Sequence, residues 1–188
     1  MHSLINEHLT GADSSAPVFK HKRLRLRIMF RLRIYEVKTE YVDYLSQNHD
    51  HLYYDKAGKN KRKYIGIVME INGYKYFAPL SSFKDKHKRI KEGVDFIKIK
   101  DYAVININNM IPVPDGVFYS PDINAEKDLH YRYLLQAESR EINRQKNRIL
   151  KNAQIVYTHK KKYGKSTLLA KRTNDFEKLE KLCKKYKS

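Results

Sequence analysis

Hydroxyl groups and cations flank one apolar segment near the middle of the chain. Two serines and a lysine follow this segment and three cations precede it: Ser81, Ser82, Lys84, Lys61, Arg62 and Lys63. Lysine and arginine neutralise phosphate charge, and a serine hydroxyl donates a hydrogen bond to a phosphate oxygen. If the fold brings the two ends of the segment together, these side chains suit a phosphodiester.

The apolar segment itself predicts a β-hairpin. Residues 65–71 and 74–80 are apolar runs of nearly equal length, and Asn72-Gly73 between them tolerates the positive φ of a two-residue turn. Two antiparallel strands joined by a tight turn have their outer ends side by side. We therefore expect the cations and hydroxyls to meet at one edge of a sheet.

The chain carries a large excess of positive charge. It has 39 Lys and Arg against 21 Asp and Glu, which gives a formal net charge of +18. Such an excess attracts polyanions through phosphate neutralisation and counterion release, so nucleic acid is the first partner to consider. The 15 Tyr and 7 Phe can stack on unpaired bases where they are exposed, although most are expected in the core.

Length and cysteine content limit the remaining classes of protein. A chain of 188 residues with 41% hydrophobic content predicts one domain with one core. Its single cysteine, Cys183, excludes an intramolecular disulfide framework and a multi-cysteine zinc site. No apolar run approaches the roughly 18 residues of a membrane span, and we expect a cytoplasmic protein.

The first 28 residues differ from the rest of the chain. They lack usable periodicity, end in a basic run, and show no apolar core of a secretory signal. We interpret residues 1–28 as a basic extension, either an added segment or the product of an upstream start, and residues 29–188 as the functional domain.

The pattern after residue 28 predicts strands first and helices second, which is an α+β architecture. Strand patterns fall at residues 30–35, 65–71, 74–80, 95–99, 102–107 and 110–113, and helical periodicity falls at residues 39–48, 129–150 and 176–186. Thr39 is the expected N-cap of the first helix. Leu129 and Tyr133 are expected on the apolar stripe of the second, and residues 83–93 form either a short helix or an ordered loop.

The residue types favour one chemistry over two others. The carboxylates near the hairpin stand among lysines rather than in a ligand set, so no metal or other cofactor is expected. Ser81-Ser82 lacks the flanking glycines of a nucleophile elbow. RNA offers a third route, because its 2′-hydroxyl can attack the neighbouring phosphorus once a base removes its proton, while cations stabilise the phosphorane.

The hairpin block resembles the ToxN/AbiQ family, the endoribonuclease toxins of type III toxin–antitoxin systems. The matching residues are Ile65-Gly66-Ile67-Val68, Glu70-Ile71, Gly73, Lys75-Tyr76, Ala78-Pro79-Leu80-Ser81-Ser82, Lys84, His87, Ile107-Asn108 and Met110-Ile111-Pro112. The resemblance covers about residues 30–150 and is most specific in the hairpin.

This resemblance implies a strongly twisted antiparallel sheet surrounded by helices. It implies metal-independent cleavage of RNA to a 2′,3′-cyclic phosphate and a 5′-hydroxyl, in the service of abortive phage infection. It also implies a partner, a repeated antitoxin RNA folded as a pseudoknot, which the toxin processes and which inhibits the toxin in closed protein–RNA assemblies.

The family's catalytic motif, carried onto this chain, falls on Ser81, Ser82 and Lys84, and its basic position before the first hairpin strand falls on Arg62. Ser81 stands where many relatives have threonine, which keeps the hydroxyl. Arg62 stands where a relative has lysine, and arginine binds phosphate but is a poor proton donor, which argues against an acid role there. Ser82 has an alternative role as the cap of the next element.

Further cations and rings near the hairpin, together with two lysines of a later basic run, are candidates for RNA binding: Lys61, Lys63, Tyr53, Tyr54, Lys86, His87, Lys88, Arg89, Lys160 and Lys161. The tyrosines could equally pack in the core, and the lysines could be solvated surface charges. His87 could stack, donate to phosphate or hydrogen-bond its own loop. A protein that binds RNA without cutting it remains the alternative function.

Overall fold

The structure, a computed structural model, describes residues 31–49, 52 and 62–187. In this part of the chain, seven strands form one antiparallel sheet: β1 Arg33–Val37, β2 Lys63–Ile71, β3 Tyr74–Ser82, β4 Phe96–Ile99, β5 Ala103–Asn106, β6 Ile111–Pro112 and β7 Phe118–Tyr119. The strand order is β4-β5-β3-β2-β1-β7, and β6 pairs with β3 beside this path.

Six α-helices and two short 3₁₀ turns complete the described part. The helices are α1 Thr39–Asn48, α2 Asp85–Arg89, α3 Leu129–Arg144, α4 Lys146–Tyr163, α5 Leu168–Lys171 and α6 Phe176–Lys185, and the turns are Ile107–Asn109 and Ile123–Ala125. The predicted α+β class with an antiparallel sheet is confirmed. No helix in the described part is long and apolar enough to cross a bilayer.

The predicted hairpin of β2 and β3 is confirmed and occupies the centre of the sheet. Asn72 and Gly73 form its turn with φ values of 51° and 80°, the left-handed conformations that Asn and Gly tolerate best. Both strands extend further than their apolar runs, to Lys63 and Ser82. The polar residues at the open end are therefore held by the sheet.

A close approach between the two hairpin strands requires a glycine. The register shifts between Ile65 and Met69, and a Cβ at Gly66 would lie 2.3 Å from Cε1 of Phe77. The Phe77 ring packs in turn against Tyr35 and Phe118, with ring centroids 5.2 and 4.8 Å apart. Only a residue without a side chain leaves room for this aromatic cluster.

The long helices cover the middle of β3. The Tyr76 ring packs edge-on against Tyr157 of α4 and Phe176 of α6. The hydroxyls of Tyr76 and Tyr157 both donate to Oε1 of Glu180, at 2.7 and 2.9 Å. Burial of the rings supplies the apolar contact, and the shared carboxylate satisfies their hydroxyl groups.

Several local predictions were wrong. The N-cap of α1 is Lys38 rather than Thr39, and no side chain caps this end. Leu129 and Tyr133 are 53% and 60% exposed, because α3 turns Leu135 toward the core together with Ile142. The short helix α5 was not predicted, since four residues carry too little periodicity to be recognised. Residues 1–28 lie outside the described residues, so the domain division stays a prediction.

Candidate active site at the open end of the hairpin

The strand register places the predicted catalytic residues at the open end of the hairpin. Lys63 pairs with Leu80 across β2 and β3, so Arg62, one residue earlier, lies beside Ser81. Ser81 pairs on its other side with Val104 of β5, which pairs with Lys98 of β4. Neighbouring strands are about 4.8 Å apart, so this row places two cations within two strand spacings of one hydroxyl.

The two serines face opposite sides of the sheet. Side chains alternate along a strand, so Ser81 shares a face with Arg62 and Lys98, whereas Ser82 lies in the next row with Ala103. Ser82 is exposed and Ser81 is half-buried. At the end of β3, the hydroxyl of Ser82 therefore opens toward solvent beside the segment that leads into α2.

Lys84 and His87 form a reciprocal pair of hydrogen bonds after β3. The backbone N–H of Lys84 donates to Nδ1 of His87 at 3.0 Å, and the backbone N–H of His87 donates to the carbonyl of Lys84 at 2.8 Å. Just before this pair, the backbone N–H of Phe83 donates to the carbonyl of Tyr102 at 3.1 Å. The turn from strand to helix is thus anchored on both sides of Lys84.

The His87 ring is buried, with 7% of the residue exposed. It packs between Phe83 and Phe96, whose ring centroids lie 5.6 and 5.8 Å away. Burial lowers the pKa of His87, and the nearby charges of Lys86, Lys84 and Lys98 lower it further. The imidazole is therefore neutral at neutral pH.

The cations of α2 surround this turn on its outer side. Lys84, Lys86, Lys88 and Arg89 are all exposed. Lys88 pairs with Asp85 at 2.8 Å, one turn earlier on the same helix, where both side chains are exposed and the pair contributes little. Lys98 Nζ donates to the carbonyl of Lys88 at 3.3 Å, which joins β4 to the end of α2.

Lys63 has an internal partner. Its ammonium pairs with Glu36, the residue opposite it on β1, and the two side chains are only 17% and 10% exposed. The hydroxyl of Tyr119 donates to the other oxygen of the same carboxylate. A contact between Lys63 and RNA would require this ion pair to separate.

A second carboxylate lies near Lys63 and was not predicted from the sequence. Glu138 of α3 is 5% exposed, and burial raises its pKa to about 7, against the opposing charge of Lys63. The same carboxylate contributes to the raised pKa of Tyr131, for which burial is the larger cause. The available signal was the spacing of Glu138 with Leu135 and Ile142 on one helix face.

The other RNA-binding candidates do not all lie at this edge. Lys160 is at the end of α4, where its Nζ donates to the carbonyl of Ala170 at 2.7 Å and burial lowers its pKa. Lys161 is exposed on the same turn. Tyr53, Tyr54 and Lys61 lie outside the described residues, so their predicted roles stay predictions.

The arrangement can bind and polarise an anion. Within the described ranges 31–49, 52 and 62–187, no three His, Cys, Asp or Glu side chains are grouped as metal ligands. The groups present at the hairpin end are instead hydroxyls, one guanidinium and several ammonium groups. Fold, charge and site together define a strongly basic α+β protein with a candidate phosphate site at one sheet edge.

Comparison with known proteins gives the family. The model of the ToxN toxin of type III toxin–antitoxin systems matches residues 33–184, and the chain belongs to this family. It is similar to the endoribonuclease ToxN of Bacillus thuringiensis subsp. kurstaki, at 31% identity over 169 residues, covering 82% of this chain and 84% of the relative. The family resemblance read from the hairpin residues is thereby confirmed.

Two further proteins extend the comparison. The endoribonuclease AbiQ of Lactococcus lactis subsp. lactis is 28% identical over 162 residues, covering 79% of this chain and 86% of AbiQ. A solved structure that concerns selective toxin inhibition by a non-coding RNA pseudoknot in type III toxin–antitoxin systems superposes with a TM-score of 0.70. It shares 26% identity and covers 84% of this chain and 98% of its own.

Proposed function

We propose that this chain is a metal-independent endoribonuclease that cleaves RNA by transesterification. The observation that carries the proposal is the row of Arg62 and Ser81 at the end of the hairpin, with Ser82 next in the chain and Lys84 two residues after it. Family membership supports the same conclusion, because the relatives from Bacillus thuringiensis and Lactococcus lactis are endoribonucleases.

In this reaction the 2′-oxygen of one nucleotide attacks the adjacent phosphorus. The new bond closes a 2′,3′-cyclic phosphate, the bond from phosphorus to the 5′-oxygen breaks, the 2′-hydroxyl loses its proton, and the 5′-oxygen gains one. Arg62 and Lys84 stabilise the additional negative charge on the phosphorane, and Ser82 donates to a nonbridging oxygen. Ser81, on the face of Arg62, binds the RNA backbone on the other side of the sheet end from Ser82.

We extend the proposal to the RNA partner of this chain and to its place of action in the cell. A solved relative is inhibited by a non-coding RNA pseudoknot. By family, this chain binds a repeated antitoxin RNA of that kind, processes it into single repeats and is inhibited by it in a closed assembly. The net charge of +18 supports RNA as the partner. Such a toxin acts in the cytoplasm, where it protects the population against phage.

The test is cleavage of single-stranded RNA in excess EDTA. We expect fragments that end in a 2′,3′-cyclic phosphate and begin with a 5′-hydroxyl, detected by end-group analysis. Ser82→Ala and Lys84→Ala should each lower the single-turnover rate about 100-fold or more. Ser46→Ala on α1 and Lys181→Ala on α6 are the matched controls and should cleave like the wild type.

Three outcomes contradict this proposal. RNA that is bound but stays intact supports the noncatalytic RNA-binding alternative. Activity that disappears in EDTA and returns with a divalent ion contradicts metal independence. Wild-type rates in both Ser82→Ala and Lys84→Ala show that the reaction takes place elsewhere on the protein.

A further inference from the structure

We infer that His87 is a positioning residue for the cleavage site, which it serves as a neutral imidazole that fixes the backbone of Lys84. This inference rests on the proposed function, since it concerns the same site. It assigns His87 no contact with the reacting phosphate. Its role is to fix the backbone position from which the Lys84 side chain extends into solvent.

The hydrogen bonds determine the tautomer. A backbone N–H can only donate, so Nδ1 of His87 accepts from Lys84 at 3.0 Å and carries no proton. The proton of the neutral ring is therefore on Nε2. Protonation of Nδ1 would place two donors against each other and break the bond to Lys84.

The position of the ring is fixed by its neighbours. Phe83 and Phe96 contact it from two elements, the end of β3 and the start of β4. With 7% of the residue exposed, rotation of the ring would disturb both aromatic contacts. Nδ1 is thus held at the end of the sheet as a preorganised acceptor.

These contacts fix the backbone position from which the Lys84 side chain extends. Lys84 has an extended backbone, with φ −131° and ψ 159°, between β3 and α2. Its N–H and carbonyl both bond to His87, and the preceding N–H of Phe83 bonds to Tyr102. The Lys84 side chain itself is exposed. Among the described contacts, the backbone hydrogen bonds are therefore what restricts its direction.

Two substitutions separate positioning from direct contact with RNA. Asparagine places Oδ1 close to where His87 has Nδ1, so His87→Asn keeps an acceptor for Lys84 and removes the Nε2–H. His87→Phe keeps a ring between Phe83 and Phe96 but removes the acceptor. A displacement of about 1 Å at a catalytic group can lower a rate about 100-fold.

We therefore expect His87→Phe to lower the single-turnover cleavage rate about 10- to 100-fold. The Kd for RNA should change little, measured with RNA that carries 2′-deoxy substitutions and therefore cannot be cleaved. His87→Asn should restore most of the rate. Equal loss in both variants would mean that the Nε2–H contacts RNA, and equal activity in both would mean that His87 is structural only. Either result overturns the inference.

The matched control is His49, a second buried histidine that accepts a backbone N–H. Its Nε2 accepts from Asp175, the N-cap of α6, at 3.3 Å. His49→Phe should lower stability as much as His87→Phe but leave the cleavage rate unchanged. Loss of cleavage in the His49 variant to the same extent would attribute the effect to general destabilisation and overturn the inference.

A measurement on the wild type covers the case in which His87→Phe does not fold. In ¹⁵N-histidine NMR spectra, the inference requires an unprotonated Nδ1 and a protonated Nε2 for His87 at neutral pH. The opposite tautomer overturns it. If the wild type itself fails to cut RNA, the proposed function fails, and this result is distinct from a failure of the histidine variants.

Discussion

Lys63 and Glu36 form an ion pair across β1 and β2 directly next to the candidate site. They are register partners, and Arg62, the proposed phosphate-binding cation, is the residue that precedes Lys63. The two consecutive basic residues thus have different environments, because alternation along β2 turns Lys63 toward Glu36 and Arg62 toward the face of Ser81. Lys63, which has a structural partner in Glu36, thus directly follows Arg62, the cation proposed to bind phosphate.

The first prediction concerns this pair. Lys63→Met should lower the free energy of unfolding by about 2–3 kcal/mol, less than for a fully buried pair because both side chains are slightly exposed. Adding Glu36→Gln should recover much of the loss, since the carboxylate would no longer need a counter-charge. Chemical denaturation of the three variants measures both effects.

A matched variant tests the alternative role of Lys63. Lys86→Met removes an exposed ammonium from α2 and should weaken RNA binding without changing stability. If Lys63→Met behaves in the same way, with wild-type stability and weaker RNA binding, Lys63 contacts RNA and the structural role proposed here is wrong.

The second prediction follows from Glu138. Its pKa is raised in the folded protein from 4.5 to about 7, so its stabilising contribution is complete below about pH 4.5 and is lost as the pH rises through about 7. Glu138→Gln should therefore unfold like the wild type near pH 4.5. Near pH 8 it should be more stable by about 3 kcal/mol, at 1.36 kcal/mol per pKa unit.

Denaturation curves at the two pH values provide the measurement. Glu177→Gln on α6 is the control, because that side chain is exposed and the substitution should change stability little at either pH. A Glu138→Gln variant that loses stability at high pH would show that the ionised carboxylate is needed beside Lys63.

The third prediction concerns packing inside the hairpin. Gly66→Ala would place a Cβ 2.3 Å from the Phe77 ring and should lower stability by about 1–3 kcal/mol. Gly66→Ala combined with Phe77→Leu should lose less than the sum of the two single substitutions, because the smaller side chain leaves room for the added methyl group. A double-mutant cycle by denaturation measures this coupling, and strict additivity would contradict the contact.

The hairpin was predictable because its signals are local. Asn72-Gly73 dictates the turn, and the apolar strands on either side share one length, so the open end follows from geometry. The same locality explains the prediction of α6, where Phe176, Leu179 and Cys183 recur on one face and are buried. Patterns of this kind depend only on residues that are close in sequence.

The errors arose where tertiary contacts decide. Leu129 and Tyr133 match a helical stripe, yet α3 is rotated so that Glu138 and Glu141 are buried instead, each near a cation. The spacing of Glu138 with Leu135 and Ile142 is a local signal for burial, but it does not identify the nearby cation, because Lys63 is far away in the sequence. The helix cap at Lys38 was missed for a similar reason, since its backbone N–H bonds to the carbonyl of Val117.

At the site, residue types were easier to predict than environments. The sequence placed Lys63 and Arg62 together as phosphate-binding cations, but the pairing of Lys63 depends on Glu36, 27 residues earlier. The sequence allows three roles for His87, because its acceptor bond to Lys84 depends on the start of α2. The hairpin determines which side chains meet at its open end. The contacts that each of these side chains makes depend on the rest of the fold.

The fourth prediction concerns the exposed cations of α2. Lys86→Ala with Arg89→Ala should weaken binding to uncleavable RNA and reduce the slope of log K against log salt by about 0.7 for each cation that contacts phosphate. Fluorescence anisotropy over a range of salt concentrations measures the slope. Lys181→Ala with Lys184→Ala on α6 removes the same charge from another surface and should leave the slope close to that of the wild type.

The last prediction is a pH dependence that follows from His87. Burial and the charges of Lys84, Lys86 and Lys98 lower its pKa below the ordinary 6.5, so the neutral ring that accepts from Lys84 persists at neutral pH and is lost only as the pH falls below that value. The wild-type cleavage rate should contain a decline on the acid side that His87→Asn lacks, because an amide oxygen does not titrate. Dividing the two rate profiles removes titrations that both proteins share, including those of the RNA. ¹⁵N-histidine NMR locates the pH at which His87 gains its proton, and a rate ratio that stays constant through that pH would show that the protonation state of His87 does not affect the site.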